Sequence, residues 1–404
     1  MIFKLSFRNI FRNKRRTLLT MGMMTFGFVL FSFFIGIGDG HYKRVIEQFI
    51  RERTGHLQIH SKGYLETPKF FNSINNYQKL IDSLLNKEEI LFATPRIRSG
   101  GLAFFEKQSM GVQIIGVDPE KEAEVTTLKR RVKEGIYFKS EHGAIIGQGV
   151  VDTLKVKLDD ELIIISQGAD GSIANEIFKI EGIITSKEKG PDDQKVYLSI
   201  SKAQEFFAME GRIHELALVL NSGSNLYSKA TNLESLLSND FKKIQISPWQ
   251  VVEKDFYKAM LADKKGDMVA QIIIMIIIAL GVLNTVLMNT LERSREFGVL
   301  KALGTTPTYL TKLILTETII MALISIVIGS IIGTSINTYF SISGITLPSP
   351  VEYGGMRFET MRSMITFRTF YQPGLLIFVS STLVSLYPGI KAARTNPVDA
   401  IRSV

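Results

Sequence analysis

Four apolar blocks, Leu18–Ile37, Met268–Met288, Leu313–Ile336 and Leu375–Ile390, set the terms on which this chain can fold. Each is close to the ~20 residues that carry a helix across the hydrocarbon core of a bilayer. The last is the shortest, and the flanking Gln372-Pro373-Gly374 and Tyr387-Pro388-Gly389 leave room to lengthen it. Hydrocarbon offers no partner to an exposed peptide group, so a spanning segment must close its hydrogen bonds internally, as a helix does. The blocks predict four transmembrane helices. A chain of 404 residues with 45% hydrophobic residues describes many soluble proteins as well; it is the clustering that separates the two classes.

Basic residues in the short flanks orient the spans. Lys4, Arg8, Arg12, Lys14, Arg15 and Arg16 precede the first with no acid among them. Arg293, Arg295, Lys301 and Lys312 lie between the second and third, and Lys391, Arg394 and Arg402 follow the fourth. Four crossings place all three groups on one side, so both termini are expected in the cytoplasm. These flanks account for the formal net charge of +9, with some attraction to anionic headgroups. A nucleic-acid footprint, which needs a basic folded face, is not indicated.

The expected organisation is a basic N-terminal segment (1–17), helix 1 (18–37), a large outer domain with helical stalks (38–265), helix 2 (268–288), a cytoplasmic helix and loop (291–312), helix 3 (313–336), an outer loop (337–372), helix 4 (373–390) and a cytoplasmic tail (391–404). Helix 1 reads as a retained anchor, because its apolar core exceeds the roughly 7–15 residues of a signal peptide and no Ala-x-Ala follows. Cleavage near Gly36-Ile37-Gly38-Asp39-Gly40 is the alternative. The chain has no cysteine, which excludes disulfides and thiol chemistry.

The outer domain reads as mixed α/β. Residues 56–60, 113–117 and 177–180 alternate as strands do, and 162–165 and 216–220 are short buried-type runs. Residues 76–85, 201–209 and 226–237 have helical spacing, as do the stalks at 41–53 and 251–265. His56 and His60 would face one way on a strand about 13 Å apart, too far to share a metal. Asp159-Asp160-Glu161 reads as a solvated turn, and Gly168-Ala169-Asp170-Gly171-Ser172 as an exposed loop. No Gly-x-x-x-x-Gly-Lys-Ser/Thr phosphate loop occurs. No constellation for nucleophilic or paired-carboxylate catalysis is visible, and no catalytic, cofactor or metal residue is assigned.

The polar segment Leu291-Glu-Arg-Ser-Arg-Glu-Phe-Gly-Val-Leu-Lys-Ala-Leu-Gly304 is too short for a domain and sits between two spans. Glu292, Arg293, Arg295, Glu296, Gly298, Lys301, Ala302 and Gly304 fall in register with the coupling helix of FtsX-like ABC transporter permeases, which the segment closely resembles. Thr54–His60, Ile145–Gly147 with Leu154–Leu162, and Val196–Ile200 with Ala203-Gln204 resemble the outer core domain of MacB-like and lipoprotein-releasing (Lol-type) permeases. The tail Ala392–Arg402 extends the likeness to nearly the whole chain.

The resemblance implies a four-helix membrane protein with an α/β domain between helices 1 and 2, the type VII ABC transporter architecture, in a bacterial inner membrane. It implies that Glu292, Arg293, Arg295, Glu296, Gly298, Lys301 and Gly304 contact a separate cytoplasmic ATPase, which would bind the ATP and Mg. MacB-type relatives carry a fused ATPase ahead of helix 1, whereas here residues 1–17 precede it. A second permease copy or homologue would complete a dimer, and a lipoprotein substrate and periplasmic carrier are expected. Movement would reach the outer domain by mechanotransmission. Phe26, Phe28, Phe31, Phe33 and Phe34 are candidates for a lipid or substrate cavity, with ordinary helix packing as the alternative. Glu317, in helix 3, is a candidate for intramembrane coupling. The competing functions are efflux of a toxin or peptide with a periplasmic adaptor, activation of a cell-wall hydrolase, and reception of a peptide antibiotic.

The absence of cysteine makes the topology directly testable. A membrane-impermeant maleimide applied to intact cells stripped of their outer barrier is expected to label Ser172→Cys at once. Thr308→Cys should be labelled only after permeabilisation, and the reverse pattern would invert the orientation.

Overall fold

The computed structural model describes residues 2–12, 14–85, 87, 89–184, 193–353 and 356–394. The tail beyond Arg394, including Arg402, lies outside them. The chain divides into two compact units. One comprises Met1–Arg44, Leu261–Val351 and Phe358–Val404, and the other Val45–Met260 with Glu352–Arg357.

Two helices open the chain, α1 (Ile2–Arg12) and α2 (Lys14–Phe49), and a π-helical turn follows at Ile50–Thr54. Then come β1 (Leu57–Ser61), β2 (Ile74–Asn75), α3 (Tyr77–Leu85), β3 (Ile90–Phe105), β4 (Gln108–Val117), α4 (Pro119–Val125) and α5 (Leu128–Arg131). The middle of the chain gives β5 (Val132–Gly135), β6 (Gly143–Gly147), α6 (Gln148–Leu154), β7 (Glu161–Gln167), β8 (Ile173–Ile184), β9 (Lys195–Ser199) and α7 (Ile200–Phe206). After β10 (Arg212–Ile213), β11 (Glu215–Leu220), α8 (Leu226–Leu237), β12 (Ile244–Pro248) and α9 (Trp249–Val252), the chain enters α10 (Lys254–Glu292). It ends with α11 (Ser294–Ala302), α12 (Pro307–Ser343), β13 (Ile345–Tyr353), β14 (Met356–Met361) and α13 (Arg368–Arg394).

Four of these helices, α2, α10, α12 and α13, are long and apolar enough to cross a membrane. All four run well past the apolar blocks that announced them, because polar residues continue the helix outside the hydrocarbon. Their shared core joins Met24, Phe28, Phe31 and Ile35 of α2, Ile278, Val282 and Val286 of α10, Met321 of α12 and Ile377 of α13. Lipid is as apolar as leucine, so close packing and polar contacts drive such association. Phe28 lies over Gly329 of α12, where a Cβ would sit 2.9 Å from it. Ser325 Oγ donates to the Met21 carbonyl at 3.2 Å. Asn337 donates to Ser32 Oγ at 3.2 Å and accepts from Ser363.

Toward the ends of these helices, Asp39 of α2 pairs with Arg368 of α13 at 3.0 Å, and Arg368 also reaches Gln271 of α10 at 3.4 Å. One guanidinium thus ties three helices. The Gly36–Gly40 stretch, raised above as a cleavage site, lies inside α2 and packs against residues 362–364. Met364 N donates to the Gly36 carbonyl at 2.9 Å, and a side chain at Gly40 would collide with the Arg362 backbone. Residues 337–372, read from sequence as a loop, instead hold the end of α12, the β13–β14 hairpin and the start of α13. Alternation there is obscured by Pro348 and Pro350, which suit only an edge. Within residues 1–17, read as a basic segment, 2–12 form α1 and 14–17 begin α2. Phe3, Phe7 and Phe11 form an exposed aromatic stripe on α1, while Ser6 and Ile10 are buried.

The other unit is built on a ten-stranded sheet in the order β12-β1-β11-β3-β4-β9-β6-β8-β5, with β7 bridging β3 and β8. β3 organises it. Its first half pairs with β11 and its second half with β7 on the same edge, while β4 runs along the other edge. Pairing through β4, β9, β6, β8 and β7 returns to β3 and closes a ring. The strands expected at 56–60, 113–117, 162–165, 177–180 and 216–220 appear as β1, β4, β7, β8 and β11. His56 falls just outside β1, and its Nδ1 accepts from Leu220 N at 3.1 Å. Asp160 accepts from Lys157 N at 2.7 Å, closing the turn before β7.

A buried charge cluster crosses this sheet. Arg96 of β3 makes a two-point contact with Glu122 of α4 at 3.0 and 2.8 Å, and reaches Glu215 of β11 at 3.4 Å. Arg98 Nε donates to the other Glu215 oxygen at 2.8 Å. Burial alone would raise the Glu215 carboxyl, but Arg98 and then Arg96 outweigh it and hold it at about 2. A carboxylate held below its ordinary 4.5 stabilises the fold above that value, and the contribution is lost as pH falls toward 2. Glu215→Gln should therefore cost about 3–5 kcal/mol at neutral pH, because it strands buried charge. The deficit should shrink as pH falls below the ordinary carboxylate range, as read from denaturant unfolding followed by Trp249 fluorescence.

Candidate functional site

The polar segment between α10 and α12 folds as a hinge of one residue, Arg293, followed by α11. Glycine twice in a short helix is unfavourable, and each has a structural use here. Gly298 is buried with Phe297, beside Leu287, Thr290 and Leu291 of α10 and Ala392 of α13 in a narrow cleft. Gly304 has φ +91°, and Gly304 N and Thr305 N donate to the carbonyls of Lys301 and Leu300. That left-handed residue ends α11 as helix C-termini commonly end, and Pro307 then opens α12.

Arg293 and Glu317 form the centre of the site. Their side chains are 7% and 8% exposed and pair directly, Arg293 Nη1 donating to Glu317. Arg293 Nε also donates to Glu296 at 3.1 Å, and its guanidinium lies 5.0 Å from the centre of the Phe297 ring. Asn9 of α1 donates to the second Glu317 oxygen at 2.8 Å, and Arg12 of α1 pairs with Glu296. Three helices, α1, α11 and α12, are thereby keyed to one carboxylate inside an apolar helix. Glu317, read from the sequence as a candidate for intramembrane coupling, has Arg293 as its ion-pair partner.

This geometry sorts the residues read as ATPase contacts. Glu292, Arg295 and Gly304 are exposed, and Glu296 and Lys301 are half-buried. Arg293 and Gly298 are buried and face the protein, so neither presents a side-chain surface to a partner. Val299 and Leu303 join the exposed face at 46% and 78%. Arg295, Val299 and Ala302 follow the i, i+4, i+7 spacing of one helical stripe on α11, and Glu292 is the last residue of α10. Among the described residues, Glu292 and Arg295 make no ion pair. Asn9 and Arg12 escaped the sequence reading, although Phe3, Phe7 and Phe11 at four-residue intervals signal a helix there.

The five aromatics of helix 1 do not share one surface. Phe28 is buried against α12, the Phe33 ring lies tilted 5.2 Å from that of Phe340, Phe34 is half-buried, and Phe26 is 62% exposed. Phe31 alone among them borders an open apolar groove of about 670 Å³, with Ile272 and Met275 of α10 and Leu375 and Val379 of α13. Gln271 and Gln372 supply polar atoms at its wall.

The buried pair gives a measurable consequence. Arg293→Ala or Glu317→Ala leaves one charge unpaired in a dry setting and should cost about 3–5 kcal/mol each. Replacing both, by Arg293→Met with Glu317→Leu, should recover most of that loss, as read by a double-mutant cycle on the purified protein in detergent.

Comparison with known proteins agrees with this architecture. A model of the MacB-like periplasmic core domain matches residues 17–235, and one of the FtsX-like permease C-terminal region matches residues 268–397. The lipoprotein-releasing system transmembrane protein LolC of Neisseria meningitidis is 18% identical, across 96% of this chain and 94% of that one. The corresponding LolE of Haemophilus influenzae is 20% identical, across 90% and 88%. Among solved structures, the periplasmic region of MacB from Actinobacillus actinomycetemcomitans aligns with 53% of this chain and 98% of its own, at 14% identity and a TM-score of 0.38. The chain belongs to the family of ABC transporter permeases that join a MacB-like periplasmic core domain to an FtsX-like C-terminal membrane region.

Proposed function

We propose that this permease subunit takes its power from a separate cytoplasmic ATPase seated on α11, and that it lifts lipidated proteins out of the inner membrane for a periplasmic carrier. The carrying observation is the exposed stripe of Arg295 and Val299, with Leu303 beside it, on a short helix braced from behind by Arg293 and Glu317. A docking surface that must transmit force needs a rigid backing, and a buried ion pair shared by three helices supplies one. Both termini and α11 lie on the cytoplasmic side in this reading, and ATP and Mg bind in the partner. The subunit works as a dimer, with itself or a homologue, which is supported by the weakly covered apolar face of α10. α2 and α10 run as unbroken helices of 36 and 39 residues, lengths that favour mechanotransmission along rigid rods. The groove beside Phe31 suits an acyl chain, since adaptable residues such as Met268 and Met275 line it. The likeness to LolC and LolE supports lipoprotein as the cargo.

Affinity purification of the intact chain from native membranes, with mass spectrometry of stoichiometric partners, tests this. An ATPase is expected with the wild type and should be lost from Arg295→Glu with Val299→Asp, whose stability should be unchanged because both sites are exposed. Co-purified lipoprotein supports the cargo assignment, whereas a periplasmic adaptor without lipoprotein would favour efflux. Retention of the ATPase by the double variant would remove α11 as the docking site.

A further inference from the structure

Three faces of α1 differ in chemistry. A helix turns ~100° per residue, and that angle separates the side chains of Ile2–Arg12. Ser6 and Ile10 are buried, Ile2, Leu5 and Asn9 are half-buried around them, and Ile10 joins the core of the spanning helices. Phe3, Phe7 and Phe11 recur at four-residue intervals, all exposed, with the ring centres of Phe7 and Phe11 4.9 Å apart. Each is followed by a base, so Lys4, Arg8 and Arg12 form a third, exposed face ~100° further round. The aromatic stripe therefore lies between a side that packs on protein and a side that is wholly basic.

Position and charge say what covers the stripe. The exposed apolar surface continues onto α2, where Leu18 and Leu19 are 73% and 61% exposed at the start of a helix able to cross a membrane. Thr17 Oγ1, beside them, donates to the Ile10 carbonyl at 2.6 Å, which ties α1 to the mouth of that span. Residues 2–38 hold six bases and no acid. Lys4, Arg8 and Arg15 are exposed and form no ion pair among the described residues, whereas Arg12 is engaged by Glu296. A second copy of α1 would meet this surface with like charge. An acidic bilayer surface complements it, since interfacial helices seat aromatic residues at the boundary of headgroup and acyl chain and turn lysine and arginine toward the phosphates.

The protein-facing side of α1 is linked to α11. Asn9 donates to Glu317 and Arg12 pairs with Glu296, and Arg293 holds both of those acids from the other side. A displacement of α1 would therefore reach the ion pair behind α11. We infer that α1 is an interfacial helix that binds acidic phospholipid through Phe3, Phe7 and Phe11 together with Lys4, Arg8 and Arg15, and that this binding fixes α11 by way of Asn9 and Arg12. Lipid composition thereby regulates the polar segment between α10 and α12: α11 is held firmly in an acidic leaflet and loosens in a zwitterionic one.

The test uses the full chain in nanodiscs of phosphatidylcholine, with or without ~30% phosphatidylglycerol. Phe7→Trp, or Phe3→Trp should the first fail to fold, reports where the stripe lies, and the single native tryptophan, Trp249, is buried and supplies a constant background. Lipids brominated near the head of the acyl chain should quench the new tryptophan several-fold, more so in the phosphatidylglycerol discs, while aqueous acrylamide should quench it little. A spin label at Val299→Cys, on the exposed face of α11, should lose mobility when phosphatidylglycerol is added. Lys4→Gln with Arg8→Gln and Arg15→Gln should abolish both responses, whereas Lys4→Arg with Arg8→Lys and Arg15→Lys should keep them. Asn9→Ala should leave the quenching intact and weaken the response of the label. Quenching by acrylamide but not by bromine puts the stripe in water, and quenching by neither puts it under a second copy or another protein; either result overturns the lipid assignment. Equal bromine quenching with and without phosphatidylglycerol overturns the acidic headgroup, and a Val299 label indifferent to it overturns the link to α11. No ATPase is present, so these outcomes are independent of whether α11 seats one.

Discussion

Hydrocarbon tolerates no unpaired charge, and the membrane unit is arranged around the one acid in α12. Glu317 sits within an apolar helix and is 6% exposed, so it requires a cation brought from elsewhere in the chain. That cation is Arg293, fixed at the junction of α10 and α11. To deliver it, α11 must turn back against α12, which the left-handed Gly304 permits. α1 adds Asn9 to the same carboxylate. The position of the short helix thus follows from electrostatics before any partner is considered. Such a pair need not add net stability relative to apolar residues of equal volume. What it contributes here is register among three helices.

Much of this was legible in the residues. Hydrophobic blocks of bilayer length give the spans, and alternation gives β1, β4, β7, β8 and β11, because both signals are local. The polar segment between α10 and α12 is visible as charge where apolar sequence would otherwise continue. What escaped was set by tertiary contact. The sequence makes Arg293 an equal of Glu292 and Arg295, and only a partner 24 positions away buries one and leaves the others outside. Helix 1 lists its phenylalanines without saying which meet glycine on α12 and which meet lipid. The β13–β14 hairpin is hidden by its prolines, and β3 by its length, since half of it serves one set of neighbours and half another.

β3 also explains why the outer domain concentrates charge at one place. Arg96 and Arg98 fall near the middle of that strand, where its edge passes from β11 to β7. Neither partner strand covers residues 97–101 along that edge in the register. A sheet made of two parts joined by one strand needs something to fix their geometry, and the Arg96–Glu122–Glu215 cluster does so with charge-assisted bonds.

The contact of α2 with residues 362–364 is held by what is missing. At Gly36 and Gly40 no side chain intervenes, and two stretches of backbone touch directly. The loss of function to expect from any larger residue there is that of a wedge, which adds an obstacle while removing no bond. Wedges and lost bonds differ genetically. A lost bond is restored by a new donor, whereas a wedge is relieved only by yielding on the opposite side. The opposite side at Gly40 is the main chain of Arg362, whose carbonyl cannot be shortened by mutation. Inheritance at that position should therefore be unforgiving, with second-site compensation open to Gly36, which faces the Asn337 and Ser363 side chains, and closed to Gly40.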